Sequence, residues 1–122
     1  MLKSYREPQV WQRSIQLATA VYRLTAGFPR DEVYGLSSQM KRAAVSVASN
    51  IAEEYGRLST GEYRQFLGMA RGSALELQTQ FEIAPRLEIG DEGVLTETEG
   101  LAEQVSKMLY AMIDKLKATR TI

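Results

Sequence analysis

Two sets of side chains in this sequence have the types and spacings to do chemistry. The first is the glutamates Glu53, Glu62 and Glu76. Carboxylates in unlike environments can divide general-acid and general-base roles, and magnesium is bound through one or two carboxylates plus substrate phosphates. Such sites need the acids to converge on one pocket. Glu62 and Glu76 fall about four turns apart on one helix, and no Glu-x-x-Glu pair lines a seam. A magnesium-dependent all-α nucleotide hydrolase using Glu53, Glu62 or Glu76 is therefore the alternative reading, with no nucleophile or metal cage beside the acids.

The second set is a polar row beside apolar seams: Gln39, Arg42, Ser46, Asn50, Glu53 and Arg57, then Ser73, Glu76 and Gln80. Leu36, Met40, Ala43, Val47, Ile51 and Glu54 step by threes and fours, which is one face of a helix with only its last position polar. An amphipathic helix normally turns its polar groups to the opposite side. Here they adjoin the seam, so Ser46 and Asn50 are expected to be partly buried, and buried polar groups need partners. The next helix can supply them. Ser59-Thr60-Gly61-Glu62 reads as a capping box, and Phe66, Ala70, Ser73, Leu77, Gln80 and Ala84 follow on one face. The row reads first as a hydrogen-bonded network that sets helix register. It reads second as a subunit seam, with Arg42 or Arg57 against Glu53 or Glu76. Gly68 and Gly72 each cost up to about 1 kcal/mol of helix propensity, which close approach of another helix would offset.

Composition narrows the chemistry further. The chain has 122 residues, 44% of them hydrophobic, enough for one domain with a real core. It has no cysteine and no histidine, which excludes thiol nucleophiles, His-based triads, the usual zinc sites and Glu-x-x-His di-iron centres. No catalytic, cofactor-binding or metal-binding residue is expected. With 15 basic and 15 acidic residues, no global field favours nucleic acid or membrane. No apolar run approaches the roughly 20 residues of a membrane span, and the N-terminus lacks a signal-peptide core. A cytoplasmic protein is the expectation.

These side chains require four helices, over residues 8–26, 33–56, 60–84 and 95–118. Val10, Leu17 and Leu24 repeat by sevens in the first, widened by Trp11, Ile15, Ala18 and Tyr22; Trp11, Tyr22 and Phe28 are expected in the core. Gly27-Phe28-Pro29 ends this helix, and Asp31 or Glu32 sits near the positive end of the next. Pro85 should stop or kink the third helix. Gly90-Asp91 and Gly93 mark a turn. Leu101, Val105, Met108, Met112 and Leu116 make the last seam. Short connections give an all-α, antiparallel up-down four-helix bundle. The extra packing surfaces point to a homo-oligomer. Charge is uneven along the chain: the leading segment and the tail are basic, and residues 82–103 are acidic. Lys3, Arg6, Arg13, Lys115, Lys117 and Arg120 would form a phosphate-contacting rim in an RNA or DNA complex, although solvated helix surface explains the same charges.

The run Tyr34-Gly35-Leu36, Gln39, Arg42-Ala43-Ala44, Ser46, Asn50-Ile51-Ala52-Glu53, Arg57, Ser59, Glu62, Phe66-Leu67, Ala70, Gly72-Ser73 and Glu76 resembles the 23S ribosomal RNA intervening-sequence protein family, also called simply four-helix bundle proteins. Val10-Trp11 and Phe28-Pro29 match the family's opening. The resemblance implies a barrel-like homopentamer without established enzymatic activity. It also implies genes sometimes placed within ribosomal RNA intervening sequences. A related branch comprises accessory proteins of diversity-generating retroelements, which bind a reverse transcriptase and nucleic acid through basic surfaces. Two features depart from the pattern. Glu54 stands where glycine is common, and the neutral charge balance differs from the basic retroelement branch.

Overall fold

The computed structural model describes residues 6, 8–32, 34–55 and 60–120, with the side chains of 60–62 and 117–120 outside the description. The capping box at Ser59 and Glu62, and Arg57 and Lys3 of the candidate sites, therefore lie outside the described side chains, as do Lys117 and Arg120.

Four α-helices account for the fold: α1 (Gln9–Ala26), α2 (Leu36–Glu54), α3 (Thr60–Arg86) and α4 (Glu92–Arg120), with a 3-10 turn at Arg30–Glu32 between the first two. Each helix packs on its two sequence neighbours in space, and α1 closes the square against α4. This is an antiparallel up-down bundle, and no strand occurs among the described residues. The core runs its length, with Leu17, Val21 and Leu24 of α1, Met40, Val47 and Ile51 of α2, Leu67, Leu77 and Phe81 of α3, and Val105 and Leu109 of α4 all buried.

Local chemistry explains where the helices begin and end. Glu32 Oε1 accepts a hydrogen bond from the Leu36 amide at 3.2 Å, satisfying one of the orphan donors at the start of α2. Asp91 Oδ1 does the same for the Val94 amide at 2.9 Å, so α4 begins at Glu92, three residues earlier than the seam alone suggests. At the end of α3 the Ile89 amide donates to Ala84 O and the Glu88 amide to Pro85 O. That pair of bonds is a Schellman cap, and it places Glu88 in the left-handed region at φ 58°. Pro85 sits inside the final turn of α3 without stopping it, because only the last residues before the cap are affected by its missing donor.

Three expectations about packing need correction. Ile15 and Tyr22 lie outside the core, with Tyr22 49% exposed and the Lys41 ammonium 5.3 Å from its ring centroid. The buried stripe of α3 is Leu67, Ala70, Ala74, Leu77, Phe81 and Ala84, rotated away from the Phe66–Ser73–Gln80 line, which borders the stripe. Gly68 and Gly72 face open space, with no atom within 4 Å of where a Cβ would stand, so no helix of the same chain approaches them.

Gly90 has φ 88°, and a Cβ there would stand 2.8 Å from Phe28 Cε1. Gly90→Ala should therefore lower stability by about 2 kcal/mol through backbone strain and a clash with a core aromatic. Glu88→Gly relieves the left-handed strain and should raise stability by about 1 kcal/mol. Chemical denaturation of the two variants against the parent chain checks both signs.

Candidate functional site

α2 and α3 make the most extensive helix contact in the bundle, and both carry buried small residues, Ala43 on α2 and Ala70 and Ala74 on α3. Between the helices the Ser46 and Ser73 hydroxyl oxygens are 2.8 Å apart, either hydroxyl supplying the proton. Asn50 Nδ2 donates to Ser46 O at 2.8 Å and to Ser46 Oγ at 3.0 Å. An i, i+4 pair on α2 thus holds a hydroxyl in place to meet one hydroxyl of α3. Gln80, two turns beyond Ser73, is 4% exposed, and its Oε1 has no hydrogen-bond partner.

The rest of the row turns outward. Gln39, Arg42, Glu53 and Glu76 are exposed. Arg42 lies one turn before Ser46, and Glu76 almost one turn after Ser73. Because the helices run antiparallel, both lie on the same side of the Ser46–Ser73 contact. Neither has an ion-pair partner among the described residues, in contrast to the exposed Glu82–Arg86 and Glu103–Lys107 pairs. Val45 on α2 and Met69 on α3 are half exposed; Val45 lines a shallow groove with Arg42 and Tyr22, and Gly68 and Gly72 on α3 face open space. The nine candidate positions therefore divide into a hydrogen-bonded latch (Ser46, Asn50, Ser73), the buried Gln80, and exposed polar and charged side chains (Gln39, Arg42, Glu53, Glu76), with Arg57 outside the description.

Of the three candidate acids, Glu62 lies outside the described side chains. Glu53 and Glu76 are exposed on different helices, and among the described residues no group of three or more acidic side chains is placed to hold a metal. An open groove of about 510 Å³ runs between α1 and α4, lined by Ile15, Thr19, Arg23, Glu97 and Leu101 among others. Of the phosphate-rim residues, Arg6 and Lys115 are exposed and Arg13 half-buried. Arg13 bonds Gln16 Oε1 at 3.1 Å.

The acid that matters to the interior is Glu54. It is completely buried at the end of α2, and neither carboxyl oxygen has a hydrogen-bond partner. Removal from water pushes its pKa up from 4.5 to about 7, an effect the nearby Tyr55 hydroxyl only partly opposes without completing a hydrogen bond of good geometry. Burial and the Glu54 carboxylate raise the pKa of both Tyr55 and Tyr63. The sequence signal for this acid is its place on the seam, three residues after Ile51.

The fold places this protein in the class of antiparallel four-helix bundles. Residues 6–111 match the model of the 23S rRNA-intervening sequence protein family, and the chain belongs to that family. The fold is similar to the crystal structure of a protein of unknown function from the S23 ribosomal protein family of Bacteroides thetaiotaomicron. The TM-score is 0.78 at 21% identity, over 86% of this chain and 95% of the other. No curated protein matches the sequence.

Ser46→Ala or Ser73→Ala should each cost about 1 kcal/mol, because each leaves a partly buried hydroxyl or amide short of a partner. The double variant should cost less than the sum, since the lost partners are shared. A double-mutant cycle by denaturant unfolding reads the coupling.

Proposed function

We propose that this protein works by assembling with copies of itself, as a homopentamer in line with its family resemblance, and contributes a scaffold to the cytoplasm and not a reaction. The observation that supports this reading is the unpartnered surface of α2 and α3. Val45 and Met69 expose apolar side chains on these helices, and Gly68 and Gly72 leave backbone open to close approach. Arg42 and Glu76 are exposed on the same two helices without ion-pair partners among the described residues. An arginine and a carboxylate can pair reciprocally with a second copy, and bidentate geometry suits them to do so. The glycines, costly in a lone helix, make sense where another chain lies against them.

A second reading concerns nucleic acid. The antiparallel fold brings the start of α1 and the end of α4 to one end of the bundle, so Arg6, Arg13 and Lys115 share that end, with Lys3, Lys117 and Arg120 adjoining in sequence. The family is named for intervening sequences of 23S rRNA, although the neutral charge balance of this chain differs from the basic retroelement accessory branch. Repetition of a weakly basic end around a ring would strengthen phosphate binding through multivalency.

Multi-angle light scattering tests the assembly. The parent chain should elute as an oligomer, Arg42→Glu and Glu76→Arg should each shift it toward monomer, and the combined swap should restore it. A strictly monomeric parent chain at working concentration would overturn the reading. Titration with mixed RNA and DNA tests the second reading. Binding should weaken steeply with salt, and no affinity even at low salt removes it.

A further inference from the structure

The shallow groove between α1 and α2 is basic. It has a volume of about 410 Å³ and is lined by Tyr22, Ser38, Lys41, Arg42 and Val45, two cations and no acid. Tyr22 and Val45 are each about half exposed, so apolar surface lies between the charges. The Lys41 ammonium stands 5.3 Å from the centroid of the Tyr22 ring, a cation–π contact that keeps it at the groove. Neither Lys41 nor Arg42 has an ion-pair partner among the described residues.

The turn from α3 into α4 has the opposite character. Residues 87–92 read Leu-Glu-Ile-Gly-Asp-Glu, with three acids and no base. Leu87 is more than half exposed, and Glu88, Asp91 and Glu92 are exposed after it. The turn is held from within. Its Schellman bonds fix the backbone, Ile89 packs on the core, Gly90 lies against Phe28, and Asp91 caps the Val94 amide. Leu87 and the acids are therefore presented on a pre-organised element that gives up little freedom on binding.

Resting on the self-assembly proposed above, we propose that the α1–α2 groove of one copy receives the α3–α4 turn of another. Leu87 enters between Tyr22 and Val45, and the acids of the turn meet Lys41 and Arg42.

Charge and symmetry both select this occupant. The groove carries two unpaired cations, and the turn carries three acids beside an exposed leucine, so each supplies what the other lacks. The larger groove between α1 and α4 is lined by one charge of each sign, Arg23 and Glu97, and favours neither sign in a partner. A reciprocal contact is complete in a pair of copies, whereas a ring requires a head-to-tail contact between two different surfaces. The groove and the turn are two such surfaces. Leucine against tyrosine and valine supplies the buried anchor, and the charges supply orientation and partner choice. Because the charges are at the surface, salt should weaken the contact.

The full chain has no cysteine, so single introduced cysteines report the contact directly. Val45→Cys chains mixed with Leu87→Cys chains and oxidised by copper-catalysed air should form the mixed disulfide dimer in preference to either symmetric one, since a bridge needs Cβ atoms about 3.5–4.5 Å apart. A mixed dimer that forms instead between Val45→Cys and Gly72→Cys chains would give the groove to the open side of α3 and overturn the proposal. Light scattering over a concentration series is the second readout. Lys41→Glu, Leu87→Asp and Glu88→Lys should each weaken assembly about 10-fold or more, and Lys41→Glu combined with Glu88→Lys should recover it. Circular dichroism should show parent-level helix in all of them. An oligomer that survives Lys41→Glu and Leu87→Asp and forms no Val45–Leu87 bridge would overturn this contact while leaving self-assembly standing. A strictly monomeric parent chain would overturn both.

Discussion

The register between α2 and α3 is the constraint from which the other features follow. The buried alanines of these helices, Ala43, Ala70 and Ala74, carry almost no shape information, because one small side chain resembles the next. A slide of one turn would cost such a surface little dispersion energy. The Ser46–Ser73 bond, with Asn50 holding Ser46 from behind, makes one alignment better than its neighbours. Sliding by a turn would leave these groups buried without partners, at a cost of about 1–3 kcal/mol each. This is the role a single buried asparagine plays in coiled coils, performed here by two serines. With register set, Arg42 and Glu76 lie on the same side of the Ser46–Ser73 contact along the bundle axis, and Glu54 comes near Tyr63 of α3.

Much of this architecture can be read from the residues, and the failures have physical causes. Heptad spacing in α1 and the threes and fours of α2 identify both helices and most of their buried faces. Polar residues beside a seam mark Ser46 and Asn50 as partly buried, which they are, but do not separate Ser73 and Gln80 from the exposed Gln39, Glu53 and Glu76 of the same row. α3 is harder, because Phe66, Leu67, Met69, Leu75 and Ile83 spread apolar character around most of the helix. Periodicity alone cannot choose among faces there, and the choice of the Ser73–Gln80 line missed Leu67, Ala74 and Phe81 by half a turn or less. Tyr22 and Ile15 are misread for a related reason. An apolar or aromatic residue at the margin of a stripe is buried only if a neighbouring helix reaches it, and that depends on the orientation of α1 between α2 and α4. The end of α3 depended on Pro85, whose absent amide matters little one turn before a Schellman cap.

Glu54 illustrates a different limit. Its place on the seam is plain from spacing, but spacing does not say whether the helix has ended before the residue or whether the next helix covers it. Both questions are answered by the corner into α3, where Tyr63 and Tyr55 flank the carboxyl. Sequences that fold well tend to agree with their structure at every level, and local disagreements cluster at strained or functional positions. Glu88 in the left-handed region is one such disagreement, and it sits on a surface cap where the strain is worth only about 1 kcal/mol. Glu54 is the more consequential one, since a buried acid lacking donors is stable only while it keeps its proton.

The hairpin therefore joins two unlike parts. Its centre is over-determined by hydrogen bonds that favour one alignment, whereas the end of α2 buries an acid to which nothing donates. Ser46 lies two turns from Glu54 and is tied to α3 by its own bond, so the alignment does not rest on Glu54. In a chain with no histidine, the side chains that ordinarily sense neutral pH are absent, and removal from water lifts the Glu54 carboxyl toward that range.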